Sequence, residues 1–426
     1  MFELNKAPIL KGKIEVLSGF AFPSSGFNQL DGLPLIRIRD LGGSTTEVRF
    51  RGVYDPAYRV SKGDLLVAMD GDFEVHRWEG EDALLNQRVC RISSTSREID
   101  QGFLYWYLKP KIAEIHRRTP QTTVRHLSTK DIYSIAEPPI GFPAQKRISQ
   151  ILDTLDTAIR ETEALIDKLK AIKQGLLHDL LTRGIDANGQ LRPLQSEAPQ
   201  LYKESPLGWI PKEWDIVNVR EAGEVKLGRQ RSPNHEHGQY MRPYFRVANV
   251  YDGFIDFTDV LEMNFSPSEQ EVYSVRPGDI LLNEGQSLEL VGRCALYEGQ
   301  PGIYCFQNTL VRFRANENTV PEYAQLVFKY WLDTGCFTHI AKQTTSIAHL
   351  GADRFADMPF PSPNAGEQVL IVERLQALTC REAAERLELQ KLRQQKSGLM
   401  DDLLTCRVRV TPLLESMPQS AAPSEA

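Results

Sequence analysis

Residues Gln145–Thr182 and Gln368–Thr405 are two versions of one long segment, displaced by 223 residues, and each closes a different globular half. Two copies in one chain require two similar modules and predict two similar sites. The match is strongest at the ends. Gly175-Leu176-Leu177-His178-Asp179-Leu180-Leu181-Thr182 returns as Gly398-Leu399-Met400-Asp401-Asp402-Leu403-Leu404-Thr405, and Lys173 returns as Lys396.

Within the first copy, Ile148, Leu152, Leu155, Ile159, Thr162, Ile166, Leu169, Lys173, Leu176 and Leu180 alternate spacings of four and three. Such spacing winds a single seam along a supercoiled helix. The second copy keeps the register as Ile371, Leu375, Leu378, Glu382, Glu385, Leu389, Leu392, Lys396, Leu399 and Leu403, but loses apolarity in its middle. At about 1.5 Å per residue, each 38-residue copy spans roughly 57 Å as a helix, which is long for a globular element. The shared register and length predict a mutual antiparallel coiled coil; two amphipathic helices, each packed on its own domain, is the alternative.

The chain has 426 residues, 41% of them hydrophobic, which is enough for at least two cores. Met1-Phe2-Glu3-Leu4-Asn5-Lys6-Ala7-Pro8 lacks the basic and apolar succession of a signal peptide, and no run approaches a membrane helix. The expectation is a cytoplasmic protein with no membrane partner. Cys90, Cys294, Cys305, Cys336, Cys380 and Cys406 are dispersed, against a zinc knuckle or a disulfide framework. The formal charge of −6, from 50 Lys and Arg against 56 Asp and Glu, means that nucleic-acid binding cannot rest on global basicity. Local charge differs. Lys109, Lys111, Arg117, Arg118, Arg125 and Lys130 face only Glu114 and Asp131 in one stretch, and Lys226, Arg229, Arg231, Arg242 and Arg246 face only Glu236 in another. A solvated basic face is the plain alternative for either patch.

The organisation read along the chain is a first globular domain over 1–142, a long helix over 143–184 and a linker over 185–206. A second domain over 207–364, a second long helix over 365–407 and a flexible tail over 408–426 complete it. Pro34 to Leu41 alternates as a half-buried strand should, Arg59 to Met69 reads as turn and strand, and Leu104–Ile115 and Tyr323–Leu332 read as helices. Lys62-Gly63-Asp64-Leu65-Leu66-Val67 parallels Pro277-Gly278-Asp279-Ile280-Leu281-Leu282, and Gln121-Thr122-Thr123 parallels Gln343-Thr344-Thr345. Gly184 is placed to stop the first long helix, and prolines at 138, 139, 143, 359, 361 and 363 mark the entrances to both.

Chemistry of its own is hard to find in the chain. Asp55-Pro56-Ala57-Tyr58 falls short of the Asp/Asn-Pro-Pro-Tyr/Phe pattern of adenine methyltransferases, because Ala57 replaces the second Pro, and it reads as a turn. There is no phosphate loop, no His-Glu-x-x-His metal site and no nucleophile elbow. Asp70-Gly71-Asp72 reads as two solvent-facing acids in a turn, so no catalytic or metal-binding residue is assigned.

Two recognition-like halves, two long helices, the paired Gln-Thr-Thr runs and the repeated Leu-Leu-Thr endings together resemble the DNA-specificity subunit of a type I restriction-modification complex. The resemblance covers almost the whole chain. Pro206-Leu207-Gly208-Trp209-Ile210-Pro211-Lys212-Glu213-Trp214 resembles that family's Gly-x-Ile-Pro-x-x-Trp entrance to a recognition domain, whereas the first half begins more directly at Ser18-Gly19-Phe20-Ala21-Phe22. The resemblance implies an α/β fold: two mixed target-recognition domains related by pseudo-twofold symmetry and separated by a long antiparallel two-helix coiled coil. It implies a non-catalytic role, reading an interrupted, asymmetric double-stranded DNA sequence. Two modification (methyltransferase) subunits would bring S-adenosylmethionine, and restriction subunits ATP-dependent translocation and cleavage. The chain itself would bind no cofactor, with S-adenosylmethionine, ATP and magnesium on the partners.

On that reading Arg117, Arg118, Arg242 and Arg246 position phosphates, with Lys342 beside the second reading loop. Gln121, Thr122, Thr123, Gln343, Thr344 and Thr345 are the candidates for base contact, since Gln offers donor and acceptor to adenine. A structural turn is the other reading of each Gln-Thr-Thr run. The seam is expected from Ile148, Leu152, Leu155, Ile159, Ile166 and Leu169 with Leu375, Leu378, Leu389, Leu392, Leu399 and Leu403. Two other classes remain open: a DNA-modifying enzyme with a concealed site, and a coiled-coil scaffold that binds proteins alone.

Overall fold

A computed structural model describes residues 8–120, 125–233, 236–343 and 347–408. The chain divides into two compact units, residues 1–164 with 387–426 and residues 165–386. Each unit is an α/β domain joined to one half of each long helix.

The first domain is built on a four-stranded sheet in the order Ile14–Ser18, Val89–Ser94, Leu65–Ala68, Val75–Arg77. The central Leu65–Ala68 strand has no polar face because it is covered on both sides. Leu65 and Val67 point into a core with Phe103, Trp106 and Ile112 of the Gln101–Arg118 helix, while Leu66 joins Ile36, Val60 and Trp78 on the other side. The two-residue period of a strand thus feeds alternate side chains to two cores. The second layer holds Leu33–Ile36, which pairs in parallel with Ala83–Leu85 through Leu35 and Leu84.

The second unit repeats this plan. Its four-stranded sheet runs Gly223–Leu227, Leu310–Ala315, Asp279–Asn283, Cys294–Leu296. Ile280 and Leu282 pack with Tyr323, Val327, Phe328 and Trp331 of the Pro321–Asp333 helix, and Leu281 faces Phe245 and Tyr297. Met241–Phe245 pairs in parallel with Cys305–Phe306, as Leu33–Ile36 does with its neighbour. The turns before the central strands are also equivalent. Gly63 and Gly278 take φ of +94° and +91°, and the following Asp64 and Asp279 accept from the backbone N–H three residues earlier, at 2.9 and 2.8 Å.

One sequence expectation fails in an instructive way. Pro34 to Leu41 is not one strand: the strand stops at Ile36 and a 3-10 turn follows over Ile38–Asp40. The Asp40 carboxylate accepts from the Arg37 backbone N–H at 2.9 Å, and this local bond outcompetes the ladder. Asp55-Pro56-Ala57-Tyr58 is a capped 3-10 turn, with Asp55 accepting from Ala57 N–H at 2.9 Å.

The long helices run over Phe142–Thr182 and Ala365–Leu404. Pro143 sits in the first turn, where its missing N–H costs nothing. Gly184, with φ +63°, follows the end of the first long helix. In the first unit Ile148 and Leu152 share a core with Leu403 and Leu404, and Asp156 and Glu163 pair with Lys396 and Arg393. Numbers rise along one helix as they fall along the other, so the pairing is antiparallel. In the second unit Leu177, Leu180 and Leu181 share a core with Ile371, Val372 and Leu375, and Lys173 Nζ lies 3.5 Å from Glu382. Ile159, Ile166 and Leu169 are buried, whereas Leu155, Leu378, Leu389, Leu392 and Leu399 are half-buried.

Candidate nucleic-acid interface

The long basic helix of the first domain ends in His116, Arg117 and Arg118. Cations there answer the negative end of the helix dipole, a structural role that needs no ligand. Arg117 is exposed, and Arg118 is tied to Glu114 one turn back. In the second domain Arg242 Nε donates to Gln270 Oε1 at 3.0 Å, and Arg246 pairs with Asp259. Lys342 and Gln343 are exposed on a short strand paired with Ala348–His349. Gln121, Thr122, Thr123, Thr344 and Thr345 lie outside the described residues.

The backbone hydrogen bonds allow a station-by-station comparison of the two domains. Met69 N–H donates to Arg88 O, and Leu127 N–H to Met69 O, at 2.8 and 2.7 Å. In the second domain Glu284 N–H donates to Thr309 O, and Leu350 N–H to Glu284 O, at 2.9 and 2.8 Å. Asn86 N–H bonds Ile36 O as Gln307 N–H bonds Phe245 O, and Gly19 N–H bonds Val89 O as Gly228 N–H bonds Leu310 O. Arg37 therefore corresponds to Arg246, Asp40 to Asn249, and His126 to His349. At the first of these pairs the geometry recurs: Asn249 Oδ1 accepts from Arg246 N–H at 3.0 Å, as Asp40 does from Arg37.

Both histidines are held by a carboxylate. His126 Nδ1 lies 2.7 Å from Asp70 Oδ1, and His349 Nδ1 lies 3.0 Å from Glu284 Oε2. Asp70 also meets Arg88 Nε at 3.4 Å, so it is not the freely solvated acid that its Gly-containing turn suggested. The neighbouring Arg125 Nη1 reaches His116 Nε2 at 2.8 Å, and His116 faces Asp72 at 3.3 Å. Sequence reasoning passed over His126 and His349, although His-Leu recurs at the same 223-residue displacement as the long helices.

Other corresponding positions differ in chemistry. Arg88 stands where Thr309 stands, and exposed Phe20 where buried Arg229 stands. Framework recurs while side chains at corresponding stations diverge. Burial pushes the thiols of Cys90, Cys294 and Cys305 up to about 12, which keeps these three protonated. Among the described residues, no group of three or more His, Cys, Asp or Glu side chains is placed to hold a metal ion, and no helix is long and apolar enough to cross a membrane.

A family model described as the type I restriction modification DNA specificity domain matches residues 10–171 and 211–394. The type I restriction enzyme EcoBI specificity subunit of Escherichia coli is 28% identical over 380 residues, covering 85% of this chain and 77% of that protein. The MjaVIII specificity subunit of Methanocaldococcus jannaschii is 21% identical, covering 83% and 81%. The crystal structure of a type I restriction-modification S subunit from M. genitalium matches with a TM-score of 0.56 at 15% identity, covering 95% of this chain and 98% of that one.

Proposed function

The chain belongs to the type I restriction-modification DNA-specificity family, and from that membership we propose that its two domains read two unlike half-sites of one interrupted, asymmetric duplex sequence. It is a non-catalytic specificity subunit that directs methylation or cleavage by partner subunits. The observation that carries the asymmetric reading is the recurrence of one backbone framework with different side chains at corresponding stations, exposed Arg88 against half-buried Thr309 and exposed Phe20 against buried Arg229. Equal frameworks dock on DNA alike, and unequal side chains select different bases.

Arg117, Arg118, Arg242, Arg246 and Lys342 position phosphates in this reading, and the Gln121–Thr123 and Gln343–Thr345 runs face base edges. Two modification subunits, one for each copy of the framework, bring S-adenosylmethionine, and restriction subunits bring ATP and magnesium, all in the cytoplasm. Native mass spectrometry of co-expressed components should give two modification chains per specificity chain; a stable assembly with a single one would contradict the stoichiometry.

Selection from random-sequence duplex DNA with the assembled complex tests the function. Enrichment of a bipartite sequence is expected, and the purified chain alone should transfer no label from S-adenosylmethionine to DNA. Binding without any enriched sequence would favour a protein scaffold, and label transfer by the isolated chain would favour an enzyme. Arg117→Ala with Arg118→Ala should weaken binding across all sequences and flatten its salt dependence, by about 0.9 in log–log slope for each phosphate no longer neutralised. Unchanged binding would remove both from the footprint.

A further inference from the structure

Two carboxylate-held imidazoles occupy corresponding stations of the two domains. Each is reached by the same backbone path, Arg88–Met69–Leu127 in the first and Thr309–Glu284–Leu350 in the second. The acids differ, Asp70 and Glu284, and come from adjacent rather than identical stations, yet both engage Nδ1. The histidine side chains remain 64% and 45% exposed, and among the described residues neither Nε2 has a hydrogen-bond partner. A histidine kept for the core would bury its ring and satisfy both nitrogens. Here one nitrogen is fixed and the other is presented to solvent, which is how an imidazole is oriented toward a ligand.

The surroundings favour an anion. The Asp70 carboxylate also contacts Arg88, and Arg125 precedes His126 while its guanidinium lies on His116, itself facing Asp72. His349 stands directly across the strand ladder from exposed Lys342, and Arg354 donates to the His349 carbonyl at 2.7 Å. Each imidazole thus has one carboxylate on Nδ1 and cations alongside. A carboxylate stabilises the imidazolium, and an imidazolium Nε2–H is a strong donor to a phosphate oxygen.

We infer that His126 and His349 are corresponding phosphate-contacting residues, one in each domain, each oriented by its carboxylate to donate Nε2–H to the DNA backbone. The inference rests on the DNA-reading function proposed above and adds to it a pair of contacts common to both half-sites. Asp70, Asp72, Arg88, Arg125 and His116 face the first ring or its partners, and Glu284, Lys342 and Arg354 the second.

The test uses the full chain assembled with its modification subunits and a duplex carrying its selected site. His126→Ala and His349→Ala should each lower affinity about tenfold and lower the salt slope, without moving the thermal midpoint of the complex. His126→Lys and His349→Lys should restore both affinity and the salt slope. Alanine variants with wild-type affinity and salt slope, on a complex that still selects its bipartite site, would overturn the inference alone. Loss of affinity that follows a lowered thermal midpoint and is not rescued by lysine would also overturn it, by showing a purely structural staple. A wild-type complex that selects no site would overturn the functional proposal itself, and this inference with it.

Discussion

Gln145 and Gln368, equivalent positions of the repeat, fasten each long helix to its own domain. Gln145 Oε1 accepts from Asp100 N–H at 2.9 Å while Nε2 donates to Glu98 O and Ile140 O at 2.9 and 2.7 Å. Gln368 makes the same three bonds to Val320 N–H, Asn318 O and Pro363 O, at 2.8, 3.0 and 2.8 Å. Both side chains are buried, so only an amide can serve two carbonyls and one N–H at once. Gln145→Ala or Gln368→Ala should cost about 3 kcal/mol, because the stranded backbone groups lose partners without gaining water. Urea unfolding of the full chain measures this, and a loss below about 1 kcal/mol would show that the site re-solvates. A second buried device lies where the first long helix ends: Arg192 Nη1 lies 2.6 Å from Glu367 Oε1, which also accepts from Ile185 N–H at 2.8 Å and Trp214 Nε1 at 3.1 Å. Glu367→Gln should cost about 3 kcal/mol in the same assay, since it deprives a buried guanidinium of its buried counter-charge; an unchanged midpoint would assign that role to Glu213, the other carboxylate on Arg192. Little at this scale was legible beforehand. The acids that hold His126 and His349 lie 56 and 65 residues away, and no local pattern announces a pair formed by sheet topology.

At the scale of elements, the long helices were the most legible feature, because a four-and-three spacing over ten positions keeps one seam along a single long helix. The loss of apolarity in the second copy was equally visible, yet its reason was not. Glu382 sits against Lys173 and Arg386, and Lys396 pairs with Asp156 while its Nζ lies 4.8 Å from the Trp106 ring centroid. These polar seam residues find partners across the chain, which a single-segment reading cannot supply. The Arg386 guanidinium, with help from Lys173 and against the opposing effect of burial, holds the Glu382 carboxyl below its usual value of 4.5. A depressed folded-state value adds stability above about pH 4.5 that is lost as pH falls through the folded value. Glu382→Gln should therefore reduce the acid sensitivity of thermal unfolding between pH 5 and pH 3 relative to pH 7; melts with the same pH dependence as wild type would show that the pair is solvent-screened. The strand expected over Pro34 to Leu41 shows the opposite limit. Alternation predicted extension, but a single Asp40 carboxylate on the Arg37 N–H turned the chain after four strand residues. Short-range side-chain bonds of this kind are invisible to periodicity.

For the whole molecule, duplication is the fact from which function follows. Two α/β domains share sheet order, glycine turns, glutamine clamps and carboxylate-held histidines, while residues at other corresponding stations differ. On the function proposed above, a chain built this way treats the two ends of its target alike in geometry and unlike in sequence. Single-molecule sequencing of methylated DNA, from cells carrying this chain with its modification subunits, tests that claim most directly. The account predicts methylation at two different short half-sites separated by a constant gap. A single continuous palindrome, or methylation with no common sequence, would contradict it.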